Sequence, residues 1–143
     1  KKHNIHTCID TAGSITNVDE VLKYTDLVLF DIKGTNEENY KKMTNYNINN
    51  SLKFLDDCIR LNKKLWLRIV IVPNINDTYQ YMDELIKFIK PIKNVEKIEL
   101  LPYHSLGDHK YEELKIYNPL KNTPDMDINK CKLLEEYLKK GLE

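Results

Sequence analysis

The sequence predicts an α/β fold of about four parallel strands with flanking helices, and three observations carry that prediction. The first is Asp26-Leu27-Val28-Leu29-Phe30-Asp31-Ile32-Lys33, whose consecutive apolar β-formers read as a strand buried on both faces. The second is Leu65-Trp66-Leu67-Arg68-Ile69-Val70-Ile71-Val72, the strongest strand signal in the chain, stopped by Pro73 and the turn-forming Asn74-Ile75-Asn76-Asp77. The third is the regular alternation of such runs with segments of helical period, which implies right-handed β/α crossover units rather than hairpins.

Taken in order, His6 to Asp10 is a short β-rich run closed by Thr11-Ala12-Gly13. Val18, Val21 and Leu22 have helical spacing, with Asn17 as the expected N-cap. After the Leu27 to Asp31 strand, Asn36 to Met43 reads as a short polar surface helix. Leu52, Leu55, Cys58 and Ile59 fall on one face of a helix from Ser51 to Leu61. Beyond the Leu65 strand, Thr78 or Asp77 caps a helix that runs to Lys90, where Pro91 prevents continuation. Val95 to Leu101 is the fourth strand, Ser105 to Pro124 reads mainly as loop, and Asp127 caps a final amphipathic helix.

At 143 residues the chain suffices for one domain with a real core and is too short for a complete (β/α)8 barrel. With 41% hydrophobic and 31% charged residues it belongs with folded rather than disordered chains. Lys plus Arg equals Asp plus Glu at 22 each, so no global basic field points to nucleic acid or an anionic membrane. No apolar run reaches the roughly 18 to 20 residues of a membrane span, and no signal-peptide pattern opens the chain. The expectation is a cytoplasmic protein with no nucleic-acid or membrane partner. The opening Lys1-Lys-His-Asn-Ile-His6 runs directly into a strand with no Met and no cap, as expected of a piece of a longer protein.

Parallel strands place their carboxyl ends on one rim, where α/β proteins keep their sites. Asp10, Asp31, Lys33 and His104 all fall at or just past such ends. Asp31 and Lys33 are two apart, so their side chains point to the same side. Arg68 alternates with Trp66, Val70 and Val72 and points toward a barrel interior, where its guanidinium requires a carboxylate or phosphate partner. Each residue has a plain structural alternative: Asp10 and Asp31 as caps, Lys33 as a solvated lysine, His104 as a loop histidine, Arg68 in a structural ion pair. Their coincidence on one rim and its adjoining interior makes them a candidate site. The pattern alone also allows a Schiff-base aldolase using the strand-end lysine, or a nucleotide-binding module without catalysis. Cys8, Cys58 and Cys131 are scattered without a CxxC or CxxxC pairing. They read as small buried hydrophobes rather than as disulfides or metal ligands.

Four segments carry a further resemblance: His6-Thr-Cys-Ile-Asp-Thr-Ala-Gly13, Thr25-Asp-Leu-Val-Leu-Phe-Asp-Ile-Lys33, Leu65-Trp-Leu-Arg-Ile-Val-Ile-Val-Pro73 and Val95-Glu-Lys-Ile-Glu-Leu-Leu-Pro-Tyr-His104. In this order they resemble strands of the pyruvate formate-lyase activating enzyme family. Leu106-Gly-Asp-His-Lys-Tyr111 and Tyr117-Asn-Pro-Leu120 resemble that family's C-terminal loop. The resemblance implies a radical S-adenosylmethionine enzyme on a partial (β/α)6 barrel. Such an enzyme cleaves adenosylmethionine at a [4Fe-4S] cluster and takes a hydrogen atom from a glycine of pyruvate formate-lyase. It also implies an electron donor such as flavodoxin or ferredoxin, and a place in anaerobic metabolism. On the matching positions, Asp31 and Lys33 are implied to contact adenosylmethionine, with Arg68 and His104 lining the cofactor and glycine-loop pocket. Asp10, Thr11, the Leu29 carbonyl and Asp31 are implied to form a monovalent-cation site, for which hard oxygen ligands are apt.

The chain departs from the family pattern in several places. Neither the cluster-binding CxxxCxxC nor the Gly-Gly-Glu motif occurs in these residues. The expectation is therefore the C-terminal portion of a single radical S-adenosylmethionine domain, residues 1–143, that binds no cluster and is inactive alone. Asn74 stands where the family usually has glycine, Asn45 to Asn50 replaces a segment that usually carries one, and Ala12 replaces Asn or Ser. Alternative readings are an activase of another glycyl radical enzyme and a non-catalytic α/β ligand-binding module.

Overall fold

Strict alternation, rather than continuous burial, governs the two central strands. In β3 (Lys64–Ile71) the residues Leu65, Leu67, Ile69 and Ile71 are buried, while Trp66, Arg68 and Val70 between them are half-buried. β2 (Leu27–Asp31) repeats this, with Val28 and Phe30 buried and Leu27, Leu29 and Asp31 half-buried. This corrects the expectation of a β2 buried on both faces: the sheet is covered by helices on one face only. The computed structural model describes residues 2–143, and Lys1, with which the abrupt opening begins, lies outside the described residues.

With β1 (Cys8–Thr11) and β4 (Val95–Pro102), these strands form a four-stranded parallel sheet in the order β1-β2-β3-β4. On the covered face Val28, Phe30, Leu65 and Leu67 share a core with Leu22, Phe54, Cys58 and Met82. Each fully buried Leu or Ile contributes about 1.5–3 kcal/mol relative to leaving it exposed. The helices are α1 (Asp19–Lys23), α2 (Glu37–Thr44), α3 (Asn49–Arg60), α4 (Tyr79–Ile89), α5 (Asp108–Glu113) and α6 (Ile128–Leu142).

Local chemistry sets the helix ends. Asn36 accepts from the Asn39 amide at 2.9 Å, Thr78 from Tyr81 at 3.2 Å and Asp127 from Lys130 at 2.8 Å, capping α2, α4 and α6. Such caps are worth about 1 kcal/mol each. The expected cap at Asn17 does not form: Val18 occupies the position without a side-chain hydrogen bond, and Asn17 adopts φ 62°. Asn74 (φ 63°) and Asn45 (φ 62°) also take left-handed conformations. Asparagine therefore supplies at these turns the conformation that glycine usually provides.

Two further expectations are corrected. The stretch expected as loop contains a short 3-10 turn, Ser105–Gly107, followed by α5, because Gly107 precedes the helix and Pro119 and Pro124 lie beyond it. This excursion is closed at its base, where the Ser105 amide donates to Asp125 at 2.7 Å and the Met126 amide to the Tyr103 carbonyl at 2.9 Å. Cys58 and Cys131 are buried as expected, but Cys8 is exposed, since register with Leu27 puts it on the uncovered face. Among the described residues no helix is long and apolar enough to cross a membrane.

Candidate functional site

The uncovered face carries the polar chemistry. Parallel register sets Asp10 beside Leu29 and Leu29 beside Trp66, then Asp31 beside Arg68 and Arg68 beside Glu99. Side chains of these residues all emerge on the side away from the helices. The Arg68 Nε donates to Asp31 Oδ1 at 2.8 Å, and its Nη2 lies 2.8 Å from the same oxygen and also donates to Asp10 Oδ1. Lys33, just past β2, places Nζ 3.0 Å from the other oxygen, Asp31 Oδ2. The expectation that Asp31 and Lys33 share a side is thereby met, and Arg68 has the carboxylate partner its position demands.

The four side chains form one network of two acids and two bases, whose formal charges cancel. Exposure grades across it, from 19% for Arg68 and 23% for Asp31 to 32% for Lys33 and 59% for Asp10. Burial pulls the Arg68 guanidinium down, but the hydrogen bonds and charges of Asp10 and Asp31 outweigh it and hold Arg68 above its ordinary value. It is a fixed cation that pins Asp31 in one orientation, leaving Lys33 and Asp10 as the accessible charges.

The other expected site residues lie elsewhere. His104 follows β4 and is exposed, and among the described residues no hydrogen bond or ion pair joins it to the network. Its charge acts instead on Asp125, whose carboxyl is held below its ordinary value first by hydrogen bonds from Ser105 and also by His104. Thr11 Oγ1 accepts from the Gly13 amide at 2.9 Å, and its register with Phe30 turns it toward the helices. Of the four residues implied for a cation, Asp10 and Asp31 are brought together, with the Arg68 guanidinium between them.

Sequence reasoning missed the continuation of this polar face onto β4. Lys97 lies 4.8 Å from the centre of the Trp66 ring and pairs with Glu99, the register neighbour of Arg68. The available signal was alternation over Lys97 to Leu100, with Lys97 and Glu99 polar between apolar Ile98 and Leu100; the register then sets Lys97 beside Trp66 and Glu99 beside Arg68. At the strand ends a cavity of about 230 Å³ opens beside Lys33, walled by Ile32, Met43, Val70, Val72 and Tyr103. A larger cavity of about 570 Å³ lies within the 105–123 excursion, and no member of the charged network lines it. Among the described residues no group of three or more His, Cys, Asp or Glu is placed to hold a metal ion.

Comparison with known proteins extends this picture. No protein-family model matches the chain. It is 46% identical over 144 residues to the pyruvate formate-lyase-activating enzyme of Clostridium pasteurianum, covering 100% of this chain and 60% of that protein. The enzyme of the same name from Staphylococcus epidermidis is 36% identical over 146 residues, covering 96% and 58% respectively. The pyruvate formate-lyase 1-activating enzyme of Escherichia coli K12 is 40% identical over 124 residues, covering 81% and 50%. In fold, the chain is similar to the crystal structure of a domain of pyruvate-formate lyase-activating enzyme from Bacteroides vulgatus, with TM-score 0.72, 19% identity and coverage of 98% of this chain and 79% of that one. A radical SAM methyltransferase from Sphaerobacter thermophilus is similar at TM-score 0.71 and 12% identity, covering 97% and 40%. The chain spans between 50% and 60% of the length of these curated relatives, and over that span it is similar to proteins named pyruvate formate-lyase-activating enzyme.

Proposed function

We propose that the chain is the C-terminal portion of a radical S-adenosylmethionine domain whose complete form installs a glycyl radical on pyruvate formate-lyase, and that it contributes one wall of the adenosylmethionine site. The observation that carries this reading is the Asp31–Lys33 pair, held by Arg68 at the end of β2 on the uncovered face. Similarity to the activases supports it.

The donor set fits the cofactor. Adenosylmethionine carries a carboxylate, ribose hydroxyls and a sulfonium cation; Lys33 suits the first, and Asp31 and Asp10 suit the other two. When bound, it supplies the sulfonium bond whose reductive cleavage lets an activase take a hydrogen atom from glycine. The chain's own residues bind and orient. Lys33 is 32% exposed and would hold the ligand carboxylate from its place beside Asp31. Arg68 holds the Asp31 carboxylate in place through Nε and Nη2. Val70, Val72 and Tyr103 wall the adjoining cavity and exclude water from the bound ligand. Of the residues implied for a monovalent cation, Asp10 and Asp31 would supply carboxylate oxygens from the uncovered face, whereas the Thr11 side chain faces the helices and the Leu29 carbonyl would have to serve from the backbone. His104, exposed beyond β4 and apart from the network, is assigned no contact with the ligand.

The cluster does not fit these residues. A cluster needs accessible thiolates, whereas burial pushes the Cys58 thiol up to about 12 and raises that of Cys131. Cys8 is exposed but stands alone on its strand. The cluster ligands are therefore assigned to the remainder of the domain.

The test is anaerobic reconstitution and reduction of the full-length protein, with 5'-deoxyadenosine release and the glycyl radical signal of pyruvate formate-lyase as readouts. Both are expected from the full-length protein and neither from residues 1–143 alone. Turnover by residues 1–143 alone, or a full-length protein that releases no 5'-deoxyadenosine, contradicts the proposal.

A further inference from the structure

Lys33 sits at the start of a turn that is tied to the sheet on one side only. The Ile32 amide is the last backbone tie, donating to the Arg68 carbonyl at 2.9 Å. Beyond it the chain must leave the sheet and enter α2 within a few residues. A lysine on a loose turn samples many positions, and a binding site built on one needs supports outside its own strand.

Three supports are present, and two of them converge on one side chain of a different helix. Gly34 packs so closely on α2 that a Cβ there would lie 2.4 Å from the Tyr40 amide nitrogen. Thr35 Oγ1 donates to Glu84 Oε2 at 3.2 Å, and Asn39 Nδ2 donates to the same oxygen at 2.9 Å. Asn39 Nδ2 also lies 3.3 Å from Thr35 Oγ1, closing a three-membered ring of contacts. Glu84 belongs to α4, 49 residues from Thr35. Its carboxylate is half-buried and makes no ion pair among the described residues, so its hydrogen bonds there go to this turn and the start of α2.

We infer that Glu84 is a positioning residue for Lys33. One carboxylate oxygen ties the Lys33–Asn36 turn and the first turn of α2 to α4, and α4 is fixed in turn through Met82 and Leu85 in the core. The rigid helix layer thus sets where the Lys33 ammonium stands relative to Asp31. Glu84 touches neither Lys33 nor Asp31 and acts through backbone position. A side-chain carbonyl-type oxygen serves here because it accepts from Thr35 and Asn39 at once. Its consequence for ligand binding rests on the adenosylmethionine reading of Lys33; its consequence for the turn does not.

The experiment compares Glu84→Ala, Glu84→Gln and Lys33→Ala in the full-length protein, reading amide hydrogen exchange of residues 34–39 and the dissociation constant for adenosylmethionine. Glu84→Ala is expected to speed exchange in 34–39 by about tenfold, a loss matching one charge-assisted hydrogen bond, while amides of β3 exchange at the unaltered rate. It is also expected to weaken adenosylmethionine binding. Glu84→Gln retains a carbonyl oxygen for both donors and restores most of the protection and affinity, which a role limited to net charge would not allow. Unchanged exchange in 34–39 overturns the inference, as does acceleration spread equally over β3, which marks general destabilisation. Weakened binding in Lys33→Ala with full affinity in Glu84→Ala also overturns it. If Lys33→Ala leaves affinity intact, the adenosylmethionine reading of Lys33 fails, and the exchange data alone decide the role of Glu84.

Discussion

Arg68 and Asp31 stand opposite one another in register on β3 and β2, and the guanidinium Nε reaches the Asp31 carboxylate at 2.8 Å. The backbone ladder therefore fixes the pair, and the Ile32 amide to Arg68 carbonyl bond at 2.9 Å clamps the same point. A double-mutant cycle of Arg68→Ala and Asp31→Asn, read by urea unfolding, is expected to give a coupling energy of about 1–2 kcal/mol, within the range for contacting residues. Additive single effects would show that the pair is incidental.

The turn after β3 depends on one asparagine. Asn76 is 6% exposed, accepts from the Val72 amide at 2.7 Å and donates to the Val70 carbonyl at 2.9 Å. Asn76→Ala strands both backbone groups and is expected to cost about 2–3 kcal/mol, measured as a shifted urea midpoint with unaltered slope. A change under about 0.5 kcal/mol, typical of a plain surface site, would contradict the assigned role.

Gly34 is needed for space rather than for conformational freedom. Gly34→Ala forces a methyl against the Tyr40 amide nitrogen at 2.4 Å, and is expected to destabilise by about 1–3 kcal/mol, as overpacking does. Circular dichroism melting checks this. An unshifted midpoint would mean that α2 moves away without penalty.

The thiols should separate by burial. Cys8 is exposed, whereas Cys58 and Cys131 are buried, with the Cys58 thiol pushed up to about 12 by burial and then by Asp57. Alkylation at pH 8 followed by mass spectrometry should modify Cys8 alone until unfolding releases the others. Burial likewise pushes the Tyr81 phenol up to about 12. Both groups are neutral when protonated, so the unfolded chain loses these protons first as pH rises. Stability from them is complete below about pH 9 and falls as pH climbs toward about 12. Cys58→Ala should flatten part of that alkaline slope.

Much of this architecture was legible from local signals. The bounds of β2 coincide with the apolar run Leu27 to Phe30 plus its terminal acid, and the Thr78 and Asp127 caps stand where their side chains announce them. Asp31 and Lys33 met because period-two geometry is local. What was not legible depended on tertiary placement: that helices cover one face only, that Arg68 reaches two strands at once, and that His104 stands apart from the network. Asn17 misled because asparagine favours both caps and the left-handed region, and here φ 62° shows that the second preference prevailed. The same residue type at Asn45 and Asn74 explains how the chain forms turns at positions where glycine was expected.

The most direct test concerns Lys33. In the full-length protein under anaerobic conditions, Lys33→Ala should raise the dissociation constant for adenosylmethionine by about tenfold, equivalent to about 1.4 kcal/mol, with the melting temperature little changed because Lys33 is partly exposed. An unaltered dissociation constant in a folded Lys33→Ala protein would contradict the assignment of the Asp31–Lys33 pair to that cofactor.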